Sequence, residues 1–299
     1  MSLQSSHRDA RWLAYLALAL TISGISWSAI FVRWARISGS ASALYRVLIA
    51  ATVLVPWRLA RGSRRPVTPR AAWLAILGGA FFGLDLALYN TAVMRTSAAA
   101  ATFLGNSAPI FVGLGAWLIF RRATSLSFWA GLALAVAGGA TMILSHLAGH
   151  SGVGDPFGDL LALLASVFFA GYLLTTEHLR SEMDTLTLNT LAIAGSVAVA
   201  LVLCLAMEVP LTGYSASTWA ALVGLALVSQ LAAYYALVYA LGHLPVTITS
   251  VGLLMQLPLT AILAAILLHE PITGVQVLGG ALLLAGVYVV NRKPDENSG

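Results

Sequence analysis

The stretch WLAILGGAFFGLDLALY at residues 73–89 recurs in altered form as WAALVGLALVSQLAAYY at residues 219–235. Trp, Gly and Tyr stand at the first, sixth and last positions of both stretches, 146 residues apart. Further along the chain the offset becomes 149, which pairs Pro109 with Pro258. Because Leu and Ala matches mean little in so apolar a chain, the Trp, Gly, Tyr and Pro matches indicate an internal repeat.

The composition is that of an integral membrane protein. Of 299 residues, 59% are apolar and 9% are charged, and the mean hydropathy is +0.88, whereas a soluble domain carries about 25% charged residues. A membrane-spanning helix needs about 20 apolar residues, so the chain has room for ten spans and for no soluble catalytic or nucleic-acid-binding domain. The apolar runs are continuous, without the alternation of a membrane β-barrel, which predicts helices.

The expected architecture is therefore all-α and polytopic. We predict ten spans, named 1 to 10 in chain order, at residues 13–32, 40–57, 71–93, 97–120, 124–145, 160–176, 186–207, 217–241, 246–267 and 272–291. The predicted boundaries are a first five-helix repeat at 1–146, a connecting loop at 147–159, a second repeat at 160–292 and a polar tail at 293–299. Since five is odd, the second repeat must be inverted in the membrane, an arrangement typical of secondary transporters.

The distribution of basic residues predicts the orientation. With the N-terminus inside, twelve Lys or Arg fall in inner segments, against Arg33, Arg36 and Arg95 in outer ones. Positive residues favour the cytoplasmic side. We therefore expect a multi-pass protein of the bacterial inner membrane with both termini cytoplasmic, and a first span that is retained rather than cleaved as a signal peptide.

Two ionisable residues lie within predicted spans. Asp85 is the only acid deep in a span, where a charged group is costly and usually faces a cavity or a partner. Either it binds a substrate ammonium group or carries a proton, or it packs between helices with a hydrogen-bond partner; the sequence leaves both open. Arg46 lies about one turn inside span 2, and we expect its side chain to extend to the membrane surface.

Pro109 and Pro258 fall near the middles of spans 4 and 9. Proline removes a helical hydrogen bond and kinks the helix, so both are predicted hinges. Asn106 and Gln256 precede them, and a polar side chain beside a broken helix is typical of a transporter site. The alternative is that the prolines bend packed helices and the amides satisfy the freed carbonyls.

Aromatic and amide side chains complete the predicted substrate site. Tyr and Trp at span ends form interfacial belts, but mid-span aromatics suit a pathway for a flat, partly apolar substrate. The predicted substrate-binding residues are Trp27, Asp85, Tyr89, Asn90, Asn106, Tyr172, Tyr235, Tyr239 and Gln256.

The sequence holds no enzyme signature. His269-Glu270 is followed by Pro271, so no zinc-binding HExxH motif exists, and nucleophile-elbow, nucleotide-binding and Cys/His metal patterns are missing from the sequence. We therefore predict no catalytic residue, no metal and no cofactor, with transport driven by gradients or passive. Gly79 and Gly83 form a close-packing pair on span 3, which we expect to pack within a monomer, with a homodimer as the alternative.

The five-plus-five layout resembles the EamA-like permeases of the drug/metabolite transporter superfamily over about residues 13–291. The resemblance rests on Trp27-Ser28 in span 1, Tyr45-Arg46 in span 2, Ala108-Pro109 in span 4 and LHEPIT at residues 268–273. Arg121 replaces the Glu of that last signature in the first repeat, so half of the pattern is lost there. The resemblance implies export of amino acids and other small metabolites, as in bacterial aromatic amino acid exporters.

These observations lead to one functional hypothesis with two alternatives. The protein is expected to export small neutral or zwitterionic metabolites, aromatic or large apolar amino acids above all, by alternating access, with the bilayer and a small-molecule substrate as its partners and no nucleic acid. The alternatives are a carrier of nucleotide sugars, sugar phosphates or lipid-linked substrates, and a membrane scaffold that transports nothing. Phosphates favour several Arg or Lys in the pathway, so Arg46→Gln should abolish transport of anions and affect amino acid export only modestly.

Overall fold

The computed structural model describes residues 2–62, 66–95, 104–119, 121, 125–147, 156–268 and 274–291, and within these ranges every regular element is a helix. The first repeat consists of span 1 (Ser2–Ser26 and Ser28–Ala35), span 2 (Gly39–Arg61), span 3 (Pro69–Arg95), span 4 (Ala108–Leu118, after a helical turn at 104–105) and span 5 (Leu126–Leu147). Its counterpart consists of span 6 (Pro156–Leu179), span 7 (Thr185–Ala206), span 8 (216–241), span 9 (246–268) and span 10 (Gly274–Asn291).

Length and hydropathy make these helices membrane spans. Among the described residues, seven helices are long and apolar enough to cross a membrane, and three shorter apolar helices complete the ten. In lipid, backbone groups must be satisfied within the segment itself, which a helix achieves. The predicted all-α, polytopic architecture is confirmed. Span 2 continues unbroken through Arg46.

The packing pattern is symmetric between the repeats. Spans 2 and 7, 4 and 9, and 5 and 10 pack against each other, each pairing a helix with its own counterpart. Span 3 packs on spans 6 and 7, while its counterpart span 8 packs on spans 1 and 2. Exchanging the first five spans with the last five therefore leaves this set of neighbours unchanged, as a two-fold relation between the repeats requires.

Spans 5 and 10 show that the second repeat is inverted. A Cβ on Gly131 would meet Val290, whereas a Cβ on Gly138 would meet Leu283. The later residue of span 5 therefore contacts the earlier residue of span 10, so the two helices are antiparallel. Because they occupy equivalent places in the two repeats, the repeats run in opposite directions.

Small residues let spans 3 and 7 approach very closely. A Cβ on Gly79 would lie 1.7 Å from the carbonyl oxygen of Ala192, and one on Gly195 would lie 2.0 Å from that of Ile76. Ser196 Oγ donates to the Gly79 carbonyl at 2.7 Å. Backbone contact of this kind is how membrane helices associate without a hydrophobic driving force, and here it joins the two repeats.

Candidate functional site

Spans 4 and 9 are both interrupted just before their prolines. In span 4, Asn106 and Ser107 form a turn ahead of the helix that contains Pro109. In span 9, a 3₁₀ turn at Leu253–Met255 precedes the helix that contains Pro258. Both prolines stand in the first turn of the helix that follows the interruption, a place where proline is tolerated because the backbone N–H would have no partner there. The interruptions are present before both prolines, while their role as hinges stays a prediction.

The two predicted amides meet at these interruptions. Gln256 Nε2 donates to Asn106 Oδ1 at 2.8 Å, and both side chains are half-buried. Ser26 Oγ approaches the backbone carbonyl of Gln256 at 3.4 Å, which places the broken part of span 1 beside them. An uncharged polar pair thus joins the two repeats in the middle of the bundle.

Span 1 is broken at Trp27, the single residue between its two helices. The ring of Trp27 is half-buried and lies 5.8 Å from that of Phe31, which in turn lies 5.9 Å from that of Trp34. These aromatic rings form a ladder from the centre of span 1 toward its end.

Arg46 lies in the centre of the bundle rather than at its surface. Its side chain is 5% exposed, with Nε donating to Gln230 Oε1 at 2.7 Å, Nη1 to Ser28 Oγ at 3.2 Å and Nη2 to the Ser229 carbonyl at 3.4 Å. The prediction that Arg46 extends to the membrane surface is therefore wrong. Polar partners on spans 1 and 8 satisfy the guanidinium where it is, so its side chain stays in the bundle.

Aromatic rings surround the Arg46 guanidinium. Its Cζ lies 5.3 Å from the ring centroid of Tyr234 and 6.0 Å from that of Phe82, within the range of cation–π attraction. Tyr172 is 3% exposed and packs against both rings, at 5.0 Å from Phe82 and 6.2 Å from Tyr234. The predicted residue Tyr172 thus packs against the two rings that contact the Arg46 guanidinium.

Asp85 belongs to the same centre. It follows Phe82 by three residues on span 3, which places both on one helical face, and its carboxylate and Arg46 attract each other electrostatically. The side chain is half-buried. No group among the described residues donates a hydrogen bond to Asp85, and both interpretations that the sequence leaves open stay predictions.

Tyr89 and Tyr235 occupy equivalent positions but have different neighbours. A Cβ on Gly105 would lie 2.8 Å from the Tyr89 ring, so that ring packs against the interruption in span 4. Tyr235 stacks on Trp57 with ring centroids 5.5 Å apart. Both tyrosines are half-buried.

Two predicted residues lie away from the centre. Asn90 Nδ2 donates to the carbonyl of Gly39 at 2.8 Å, at the start of span 2. The Tyr239 ring lies against that of His243, which stands in the tight turn after span 8, with the ring centroids 4.5 Å apart. Each side chain has a neighbour that explains its place without a substrate, and a binding role for either stays a prediction.

The two ends of the bundle differ. At the Arg180 end, where spans 6 and 8 end, Glu177 Oε1 accepts a hydrogen bond from the backbone of Val246 at 3.0 Å, and Arg180 Nε donates to the Val238 carbonyl at 3.0 Å. At the Arg36 end lies a cavity of about 940 Å³ whose lining includes the ladder residues Phe31 and Trp34. Hydrogen bonds thus join spans 6, 8 and 9 at the Arg180 end, and a cavity lies between spans 1 and 8 at the Arg36 end.

Sequence reasoning missed Arg46, Gln230, Ser28 and Ser229 as members of the site. Gln230 is 6% exposed, and an amide in the middle of an apolar span is itself a signal for a buried polar partner. The uncharged run that separates Arg46 from Arg58 is a second signal, since it places Arg46 inside the span. Neither pattern says that the two residues bind each other.

Comparison with known proteins places this architecture. The sequence profile described as the EamA-like transporter family matches twice, at residues 10–144 and 156–292. An uncharacterized transporter of Archaeoglobus fulgidus is 27% identical over 93% of this chain and 97% of its own length. A probable terminal-alkyne amino-acid exporter of Streptantibioticus cattleyicolor is 25% identical over 94% of both chains.

A solved crystal structure has the same fold. It superposes with a TM-score of 0.78 and covers 95% of this chain and 96% of its own, at 19% sequence identity. At that identity the likeness shows the fold alone. The two profile matches, by contrast, cover nearly the whole chain, one for each repeat. The chain belongs to the EamA-like transporter family of the drug/metabolite transporter superfamily, and it is a multi-pass membrane transporter.

Proposed function

We propose that the protein exports small neutral or zwitterionic metabolites, with aromatic or large apolar amino acids as its main substrates, by alternating access. The observation that carries this is the pair Asn106 and Gln256, which bond to each other across the interruptions of spans 4 and 9. An amide pair can exchange its mutual hydrogen bond for bonds to a substrate without exposing a charge. The half-buried rings of Trp27 and Tyr89 lie on the adjoining breaks and would contact an apolar side chain.

The charges of the described residues favour this substrate class over phosphorylated compounds. Among the described residues, Arg46 is the only Lys or Arg whose side chain is buried. A phosphate of charge near −2 calls for several cationic donors, whereas one cation suffices for a carboxylate. The relative named as a probable amino-acid exporter agrees with this choice. No feature of the described residues favours a sugar phosphate or a nucleotide sugar.

Alternating access is part of this proposal because two inverted repeats meet around one centre, the arrangement typical of secondary transporters. We take the Glu177 and Arg180 bonds as the closed end of the pathway and the cavity beside Phe31 and Trp34 as its open end. With the termini on the cytoplasmic side, as the distribution of basic residues predicts, the closed end faces the cytoplasm. Bending at Pro109 and Pro258 would let each half rock about the centre and reverse the two states.

Transport of radiolabelled amino acids into proteoliposomes tests the proposal. We expect saturable exchange of phenylalanine, tryptophan and leucine, with weaker exchange of glycine and none of glucose 6-phosphate. Parallel measurements with and without a pH gradient separate proton antiport from uniport. Exchange of the sugar phosphate alone would replace the proposal with the anion-carrier alternative, and no exchange of any solute would favour a scaffold.

Asn106→Ala and Gln256→Ala should each lower kcat/KM for the best amino acid about tenfold, because each removes one hydrogen bond and leaves its partner unsatisfied, a loss of roughly 1–2 kcal/mol. Initial exchange rates over a range of concentrations measure the effect. The matched control is Asn189→Ala, since that buried amide bonds only to the Thr185 carbonyl of its own helix. Unchanged rates for both central variants would mean that the substrate binds elsewhere.

A further inference from the structure

The centre of the bundle holds a buried cation, Arg46, and a half-buried acid, Asp85, which follows by one helical turn the Phe82 ring that contacts the guanidinium. We propose that Arg46 and Asp85 together form a receptor for the two charges of a zwitterionic amino acid: Arg46 binds the carboxylate and Asp85 binds the ammonium group. This inference rests on the proposed function, and it specifies the charge pattern that a substrate must carry. It replaces the sequence-based expectation for Arg46→Gln, which should now impair amino acid export strongly as well.

The partners of Arg46 leave it able to bind an anion. Its hydrogen-bond partners, Gln230, Ser28, the Ser229 backbone and the Tyr234 hydroxyl, are all uncharged. A guanidinium has five N–H donors, so one donor remains after these four bonds. The rings of Phe82 and Tyr234 stabilise the cation through their faces without neutralising it. Arg46 is therefore held in place by groups that do not compete with a carboxylate for its charge.

Asp85 offers the complementary half of the receptor. An acid in the membrane usually pairs with other groups or with backbone, yet no described group donates a hydrogen bond to this one. An ammonium ion carries three donors, which suit the free oxygens of a carboxylate. Since Arg46 already attracts Asp85 across the gap between them, a ligand with both charges would enter with each of its groups facing the opposite charge.

Gln230 positions Arg46 through an unusual stretch of helix. It stands in a π-helical segment, Leu225–Ala232, in the middle of span 8, and such segments are frequent at functional sites. Span 1 supports the segment: Thr21 Oγ1 donates to the Ala233 carbonyl at 3.0 Å, and Ser229 Oγ donates to the Gly24 carbonyl at 2.6 Å. The bond between Gln230 and Arg46 thus joins an element of the second repeat to a cation of the first.

Gly24 is the residue that lets span 1 come this close. A Cβ there would lie 2.7 Å from Cβ of Ala233 and 3.0 Å from the carbonyl oxygen of Val228. Any larger residue would push span 1 away from the π-helical segment and from the Ser229 bond. The packing of span 1 therefore fixes the position of Gln230, and through Gln230 that of the Arg46 guanidinium.

The test compares three ligands that share the same side chain and differ in the charges at the α-carbon: phenylalanine, phenylalaninamide, which lacks the carboxylate, and N-acetylphenylalanine, which lacks the ammonium group. Exchange against internal radiolabelled phenylalanine gives an apparent affinity for each. The wild-type protein should prefer phenylalanine by more than tenfold over either analogue. Equal affinity for all three would overturn the receptor, while a wild-type protein that exchanges no amino acid at all would overturn the proposed function instead.

Variants then assign the two charges. Gln230→Met removes the hydrogen-bond acceptor of Arg46 but keeps the length of the side chain. It should raise KM for phenylalanine about tenfold and leave KM for phenylalaninamide unchanged. Gln230→Glu, which neutralises Arg46, should raise KM for phenylalanine further. Asp85→Asn should reduce the discrimination against N-acetylphenylalanine. The control is Ser42→Ala, one turn before Arg46, whose buried hydroxyl lacks a hydrogen-bond partner among the described residues. If the variants of Gln230 and Asp85 lower the apparent affinity for all three ligands by the same factor, these two residues have a structural role only.

Discussion

Gly79→Val is expected to destabilise the protein by about 3 kcal/mol or more, the upper range for overpacking, because its side chain would occupy the space of a backbone. The first added carbon alone would stand 1.7 Å from the carbonyl oxygen of Ala192 and 2.4 Å from its carbon. Spans 3 and 7 would have to separate, and the bond from Ser196 Oγ to the Gly79 carbonyl would be lost with the contact. Unfolding in detergent by titration with dodecyl sulfate, followed by circular dichroism, measures the loss.

The control for this prediction is Gly274→Val at the start of span 10, where an added Cβ meets no atom of the described residues within 4 Å. Its stability should stay within about 0.5 kcal/mol of the wild type, as for ordinary surface substitutions. Gly79→Ala should fall between the two. If Gly79→Val is as stable as the wild type, spans 3 and 7 pack less closely at Gly79 than this structure shows.

The architecture could be predicted because its causes are local. A run of about 20 apolar residues must become a helix in lipid, whatever its neighbours are. The offset between Pro109 and Pro258 and the odd number of spans together require inversion, and the antiparallel contact of spans 5 and 10 agrees. The prolines mark where the interruptions in spans 4 and 9 fall, although Pro56 stands inside the unbroken helix of span 2 and shows that proline alone does not decide a break.

The membership of the site could be predicted only in part, because it depends on which side chains meet across the repeats. The sequence places Asn106 and Gln256 at equivalent positions before two prolines, but the bond between their side chains appears only in the folded chain. Asn90 has the same chemistry as Asn106 but faces the start of span 2. An amide in an apolar helix signals a polar partner, and the sequence does not say whether that partner is a substrate or a backbone carbonyl.

The error over Arg46 has a similar cause. A long cationic side chain near the end of a span usually reaches the interface, and the residue that holds Arg46 inside, Gln230, is 184 positions away in the other repeat. The π-helical segment that carries Gln230 contains neither proline nor glycine, so no local signal marks it. Only the folded chain shows that the cation has partners in the bundle.

Arg46→Gln should destabilise the protein by about 3 kcal/mol, at the lower end of the range for breaking a buried charge pair, since Asp85 is only half-buried. The substitution removes the donors that Gln230, Ser28 and the Ser229 carbonyl now use. It also leaves the carboxylate of Asp85 in an apolar centre without its cation. Titration with dodecyl sulfate gives the free energy of unfolding of each variant.

The double variant Arg46→Gln/Asp85→Asn decides whether the two charges act together. If Asp85 is stabilised by Arg46, neutralising it in the Arg46→Gln background should recover more than about 1 kcal/mol, a coupling expected only for residues that interact. Additive losses within about 0.5 kcal/mol would mean that the pair is not coupled, and the receptor would lose its electrostatic basis. Arg46→Met provides the contrast: it keeps the apolar stem, so a stability equal to the wild type would assign Arg46 to packing rather than to charge.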